Sequence, residues 1–173
     1  MEEVNYEKRK QQFNARIRLI LLKIFLVITF VFLAFTFVFG ISRANTMDMS
    51  PAINQGDIII YFRLDRSYGN QDVVMVKEDH KIMPLRITGV PGDKINIDEQ
   101  GLVVNGYEQN ESFRWGETLP YAEKTAFPLT LGEHQYFMLG DNRTGAEDSR
   151  AFGPVSEKDI RGRVITVIKH RGI

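Results

Sequence analysis

Two stretches of this chain hold side chains from which a hydrolytic site could be assembled. Ser42, Thr46 and Ser50 offer hydroxyl nucleophiles, while Lys77 and Lys81 offer amines. A hydroxyl with a neighbouring base is the minimal unit of covalent acyl transfer. Asp48 with Asp141 or Asp148 is the material for a second chemistry, in which two carboxylates share one proton. Direct attack of Asp48 on an amide is unfavourable, because it forms a mixed anhydride. Such sites tolerate misplacement of only ~1 Å, so everything depends on what holds the groups. Other chemistries drop out on composition. The chain has no cysteine, which removes disulfides, thiolate-bound zinc, iron–sulfur clusters and thiol nucleophiles. His80, His134 and His170 share no ligand-like spacing and are expected on the surface, so neither a metal nor a cofactor is expected. Basic and acidic residues number 22 each, and a net charge of zero gives no reason to expect a nucleic-acid partner.

The elements that position these groups divide sharply. The 173 residues, 43% hydrophobic, suffice for one folded domain and one further element. From Ile24 to Ile41 there is no charge, and with Leu19 to Leu22 added ahead of Lys23 the stretch reaches the ~20 residues that cross a ~30 Å hydrocarbon core. It is apolar on every face, unlike an amphipathic core helix, and too long for the ~7 to 15 apolar residues of a cleaved signal peptide. The expectation is a transmembrane helix over 19–41, with Lys23 snorkelling to the headgroups. Met1 to Lys23 carries six basic and three acidic residues, and only Arg43 follows the span closely. The positive-inside rule therefore places residues 1–18 in the cytoplasm as a basic tail against an anionic leaflet, and residues 42–173 outside the cell membrane.

The outer part reads as β. Strand-length runs cover 57–64, 72–77, 94–98, 135–139 and 161–169, separated by turn signals such as Pro91-Gly92-Asp93 and Asn105-Gly106. Asn105-Gly106 marks a hairpin. No strand is followed by an amphipathic helix, so a mainly antiparallel β domain is expected rather than a βαβ fold. Residues 109–133 are poorer in strand signal and form an excursion, under which Trp115 is expected to pack.

Four segments, in order and at compatible spacing, carry a resemblance over nearly the whole outer domain: Asp48-Met49-Ser50-Pro51 with Gly56-Asp57; Asp72-Val73-Val74; Leu85-Arg86-Ile87-Thr88-Gly89-Val90-Pro91-Gly92-Asp93; and Gly140-Asp141-Asn142-Arg143 with Asp148-Ser149-Arg150 and Phe152-Gly153. Together they resemble bacterial signal peptidase I, which implies a signal-peptidase-like β domain on one N-terminal transmembrane helix. The family's reaction uses a serine whose proton passes to a lysine that is neutral because burial lowers its pKa from ~10.4. The resemblance puts Asp48 at the serine position, Leu85 at the lysine position, and Ala146 where a serine supports the lysine. Thr46 falls where the family can place an oxyanion-hole hydroxyl. Arg86, Asp141, Arg143, Asp148 and Arg150 fall at positions of structural ion pairs.

The resemblance further implies a groove in which an extended peptide pairs with Ile41 to Asp48 and with Ile82 to Leu85 by β-addition, which needs backbone groups and pockets but no nucleophile. Thr46, Met47, Met49, Ile82, Met83 and Pro84 are its candidate lining, with a core or membrane-contacting place an equal alternative for Met49 and Ile82, and with Pro84 removing one N–H from the edge. Members with degenerate sites are associated with pilus gene clusters of Gram-positive bacteria. The expectation is therefore a pseudoenzyme: an assembly factor or chaperone holding a pilin segment, or the sortase that polymerises pilins, at the membrane. Two alternatives stay open: an active peptidase with a relocated pair of catalytic residues, and a passive anchor or spacer.

Overall fold

The computed structural model describes residues 2–99, 101–121 and 124–170. Met1, Gln100, Ala122, Glu123 and residues 171–173, which the expected segments 1–18, 109–133 and 42–173 include, lie outside that set. The chain forms two compact units divided between Val38 and Phe39. The first is a single helix, α1 (Glu2–Val38). Its stretch from Arg9 to Val38 is long and apolar enough to cross a membrane, and its large side chains, Phe25 and Phe30 among them, are exposed on all sides. Two boundaries differ from expectation. The basic segment is helical and continuous with the apolar one. The helix also stops at Val38, and residues 39–41 belong to a strand. Gly40 accounts for that switch: glycine costs a helix interior about 1 kcal/mol, and a Cβ here would lie 2.1 Å from the Tyr61 ring, so only glycine lets this strand lie on its neighbour.

The second unit contains β1 (Phe39–Arg43), β2 (Ile58–Phe62), β3 (Val73–Glu78), β4 (Lys81–Gly89), β5 (Lys94–Asp98) and β6 (Gly101–Val104). It continues with β7 (Tyr107–Glu108), β8 (Leu129–Thr130), β9 (Gln135–Leu139), the short helix α2 (Ser149–Phe152), β10 (Val155–Ser156) and β11 (Ile160–Ile168). Seven strands form one sheet in the order β1-β2-β11-β3-β4-β9-β10, and four form a second in the order β7-β6-β5-β8. The paired strands run antiparallel, giving the mainly β, antiparallel domain that the turn spacing predicts. The hairpin at Asn105-Gly106 joins β6 to β7, and Asn105 adopts φ 54°, the left-handed conformation that asparagine tolerates in such turns.

Side-chain alternation distributes three cores. Val74 and Val76 of β3, Met83, Leu85 and Ile87 of β4, and Tyr136 and Met138 of β9 meet in the first. Phe137 and Leu139, from the opposite face of β9, join Ile95, Ile97 and Leu102 of the smaller sheet in the second. Met75 turns from β3 into the third, with Ala44, Met49, Ile53, Ile59 and Tyr61. β4, the longest strand with β11, interrupts its own pattern with Pro84, and its residues were not among the strand-length runs. Trp115 corrects the expectation of a packed indole: its side chain is exposed. Its backbone is instead pinned, donating to the Asp141 carbonyl (2.7 Å) and accepting from the Arg143 N–H (2.9 Å).

Candidate functional site

The segment after β1 is fixed backbone first. Ala44 donates to the Asp57 carbonyl and accepts from the Gly56 N–H, both at 2.8 Å, while the Asn142 N–H donates to the Asp48 carbonyl at 2.9 Å. Gly140, at the end of β9, lies so close that a Cβ there would sit 2.5 Å from the Asp48 carbonyl oxygen and 2.3 Å from the Ala146 methyl. Asp48 is thereby wedged between β9 and the loop before α2. The residue as a whole is 7% exposed. The Thr46 hydroxyl donates to Oδ2 at 2.6 Å, and the Glu147 N–H also donates to it. Burial pushes the Asp48 carboxyl above its ordinary value; the two donors pull it back only in part, and the Asp148 and Glu147 carboxylates add to the rise. Thr46, expected as an oxyanion donor, spends its hydroxyl on Asp48.

Leu85 is fully buried in the first core, paired with Val74 across the β3–β4 ladder. Its alkyl side chain can take no proton. The surface beside it is backbone. Ile87 donates to the Asp72 carbonyl and accepts from the Gln71 N–H, so both its polar groups point toward the β3 side. The β3–β4 register is unbroken from Arg86 to Lys81, so alternation sends Leu85 and Met83 the same way and turns Arg86, Pro84 and Ile82 to the other side. There, pairing with β9 starts only at Arg86. The Ile82 N–H and C=O and the Pro84 C=O lie beyond that pairing, with Ile82 exposed and Pro84 buried. Pro84 occupies a position where its missing N–H does not break the ladder to β3.

This stretch of β4 borders a cleft of about 410 Å³ lined by Ser42, Asn45, Thr46, Asp48, His80, Lys81, Ile82, Met83, Pro84 and Glu147. The expected lining Thr46, Ile82, Met83 and Pro84 is brought together, although the Met83 side chain is buried in the first core. Met49 takes the core alternative: it is 1% exposed and packs in the third core. Met47 is exposed but does not line the cleft. Glu147 and Asn45 complete the wall without having been singled out from sequence, since neither belongs to a recognisable spacing.

The five residues expected in ion pairs all enter them around this floor. Arg86 grips Asp141 with two bonds (2.8 and 2.7 Å) and lies 4.1 Å from the Phe113 ring centroid. Arg150 grips Asp148 likewise (2.9 and 2.8 Å), and Asp148 also caps α2. Arg143 pairs with neither aspartate; it takes the buried Glu111, with Nη2 to Oε1 at 2.8 Å, and contacts Thr118. Both partners come from the excursion, where nothing in the sequence marks them.

Ser42 and Thr46 line the same cleft as Lys81, but among the described residues no hydrogen bond joins a hydroxyl to an amine. Ser50 donates to Asn54 at 3.0 Å and opens onto a different hollow, walled by Phe113 and Trp115, from the one that Lys81 lines. Lys81 bonds Glu147 at 3.0 Å, and that bond and the Glu147 charge hold its amine above the usual lysine value, protonated and unable to act as a base. Lys77 is exposed. Asp141 and Asp148 each give both oxygens to an arginine, so neither is placed to share a proton with Asp48.

Compared with known proteins, the chain matches the family described as signal peptidase, peptidase S26, over residues 17–169. It belongs to the signal peptidase I family. Signal peptidase I V of Bacillus subtilis is 28% identical over 130 residues, covering 67% of this chain and 77% of that protein. Signal peptidase IB of Staphylococcus aureus is 36% identical over 95 residues, 46% of this chain, and the match spans about half (49%) of that relative. A crystal structure of a signal peptidase I from Enterococcus faecalis aligns with 58% of this chain and 97% of its own length, at 27% identity and a TM-score of 0.47. Signal peptidase I enzymes are normally serine peptidases. The sites of this member, a buried carboxyl at Asp48, a core leucine at Leu85 and a cleft bordered by β4, are the features on which its role turns.

Proposed function

We propose that this chain is a non-catalytic signal peptidase I homologue, anchored in the cell membrane by α1 with its β domain outside. It holds an extended peptide segment along the edge of β4 beyond its pairing with β9. The role proposed is that of an assembly factor or chaperone for pilin polymerisation by a sortase, with the pilin or the sortase as the partner. One observation carries the reading. The positions that the resemblance assigns to the family's serine and lysine hold a hydrogen-bonded carboxyl and a leucine sealed in the core, while the amine that lines the cleft is bound to Glu147 and kept charged. Ser42 and Thr46 share the cleft with that amine, but no hydrogen bond joins either hydroxyl to it, and the Thr46 hydroxyl is given to Asp48. That edge of β4 supports the binding half of the proposal, because β-addition draws on main-chain groups and needs no nucleophile. The pilus assignment is supported by the resemblance to degenerate family members.

The test uses the full-length protein in detergent with a secreted precursor. No processing is expected, from the wild type or from Asp48→Asn. Processing by the wild type that one substitution at Ser42, Thr46 or Ser50 abolishes would instead establish a relocated catalytic pair. In cells, Ser42→Trp, which fills the cleft, is expected to abolish pilus polymer. Polymer at normal levels from that variant would leave only a passive anchor. A photo-crosslinker in place of the exposed Ile82 is expected to capture the pilin or the sortase.

A further inference from the structure

We infer that the cleft selects an extended segment bearing a lysine or arginine side chain and seats that cation on Asp48. The inference rests on the peptide-holding reading above and adds the chemistry of what is held. Its basis is an inventory of buried carboxylates. Among the described residues five are buried, and four have a cation of their own: Asp57 with Lys169 at 3.2 Å, Asp141 with Arg86 at 2.7 Å, Asp148 with Arg150 at 2.8 Å, and Glu111 with Arg143. Asp48 is the fifth, and no ion pair reaches it. A carboxylate taken out of water without a counter-charge is costly, and buried charges are ordinarily paired. This domain follows that rule everywhere except at the one buried carboxylate that opens onto a cleft.

The surroundings favour the same occupant. Thr46 and Glu147 supply two donors to Asp48, and a carboxylate accepts about four hydrogen bonds, so acceptor capacity remains on the side of the cleft. The charged residues in the lining are Asp48, Glu147 and Lys81, with His80 beside them. Lys81 is committed to Glu147 at the rim and is held protonated by that carboxylate first and by Asp79 and Asp48 after it.

The main chain sets the need for such a side-chain contact. With Pro84 lacking an N–H, that edge of β4 offers one donor, at Ile82, and two acceptors, at Ile82 and Pro84, so the ladder to a bound strand is short. Main-chain pairing of that kind is blind to sequence. A charge-assisted bond to Asp48 would supply both register and choice of ligand.

The experiment places the full-length protein in phosphatidylcholine nanodiscs, whose zwitterionic lipid gives a cation no competing site. Two end-blocked, fluorescent threonine–valine decapeptides are titrated at pH 7, one with a central lysine and one with norleucine there. The lysine peptide is expected to bind about tenfold more tightly. Asp48→Asn is expected to erase that difference. Glu147→Gln, at an exposed position, is expected to reduce the difference and keeps the test open if Asp48→Asn folds poorly. Equal affinity of the wild type for both peptides overturns the selection of a cation and leaves peptide holding intact. Binding of neither peptide overturns both readings.

Discussion

At the scale of single residues, the site is defined by which charges are paired. Asp48 differs from Asp57 in the sign of its response to pH. Burial holds the Asp48 carboxyl above its ordinary 3.8, so the folded chain binds that proton more tightly than the unfolded one. The stability this confers is complete below pH 3.8 and is lost as pH rises through the folded value. Asp48→Asn cannot ionise and escapes the loss. It is therefore expected to melt above the wild type at pH 7, with the gap closing below pH 3.8; a thermal melt series across that range measures it, and a lower melting point at pH 7 would contradict the assignment. For Asp57, burial pushes upward but is outweighed by the N–H groups of Asn54 and His170 and by Lys169, which hold it below 3.8. Its contribution is present above that pH and lost on acidification. Arg143 presents a larger effect. Arg143→Ala leaves Glu111 buried and unpaired, a loss of about 3–5 kcal/mol, to be read from denaturant unfolding. The sequence identified Arg143 as a structural cation but not its partner, because Glu111 lies 32 residues away in a loop with no periodicity to place it.

At the scale of elements, β4 does two jobs that conflict in sequence. Its inward residues Met83, Leu85 and Ile87 build the first core, and its outward backbone borders the cleft. Pro84 hides the strand from a propensity reading, and the antiparallel alternation explains why it is tolerated. The same alternation yields a prediction. Pro84→Val places a new N–H on the edge away from β3 without disturbing the ladder to β3, so affinity for an extended peptide is expected to rise by about 0.5–1.5 kcal/mol, several-fold in Kd, with little change in the unfolding midpoint. Fluorescence titration beside a melt separates the two. Weaker binding with unchanged stability would show that the bound chain does not use this edge. β1 was hidden for a different reason: a run apolar on every face does not reveal where helix gives way to strand, and only the contact of Gly40 with the Tyr61 ring explains the boundary at Val38.

At the scale of the whole molecule, the sequence was most legible where one physical quantity dominates. Hydropathy alone marks α1 as a candidate span, and period-two alternation with turn residues marks the antiparallel domain. The division into two sheets was not visible, because strands as short as Leu129–Thr130 and Val155–Ser156 take their structure from neighbours rather than from their own pattern. The proposed orientation across the membrane rests on charge: Lys8, Arg9, Lys10, Arg16, Arg18 and Lys23 precede or enter the apolar run, and Arg43 is the single basic residue that follows it closely. Each cation held near an anionic inner leaflet contributes about 1 kcal/mol, and the balance favours keeping residues 1–18 inside. With no native cysteine, one introduced thiol reports its own side without background. Tyr107→Cys, at an exposed position of β7, is expected to react with a membrane-impermeant maleimide on intact cells, and Gln12→Cys only after lysis. The opposite pattern would put the cleft in the cytoplasm, where no secreted segment could reach it, and would remove the peptide-holding role along with the topology.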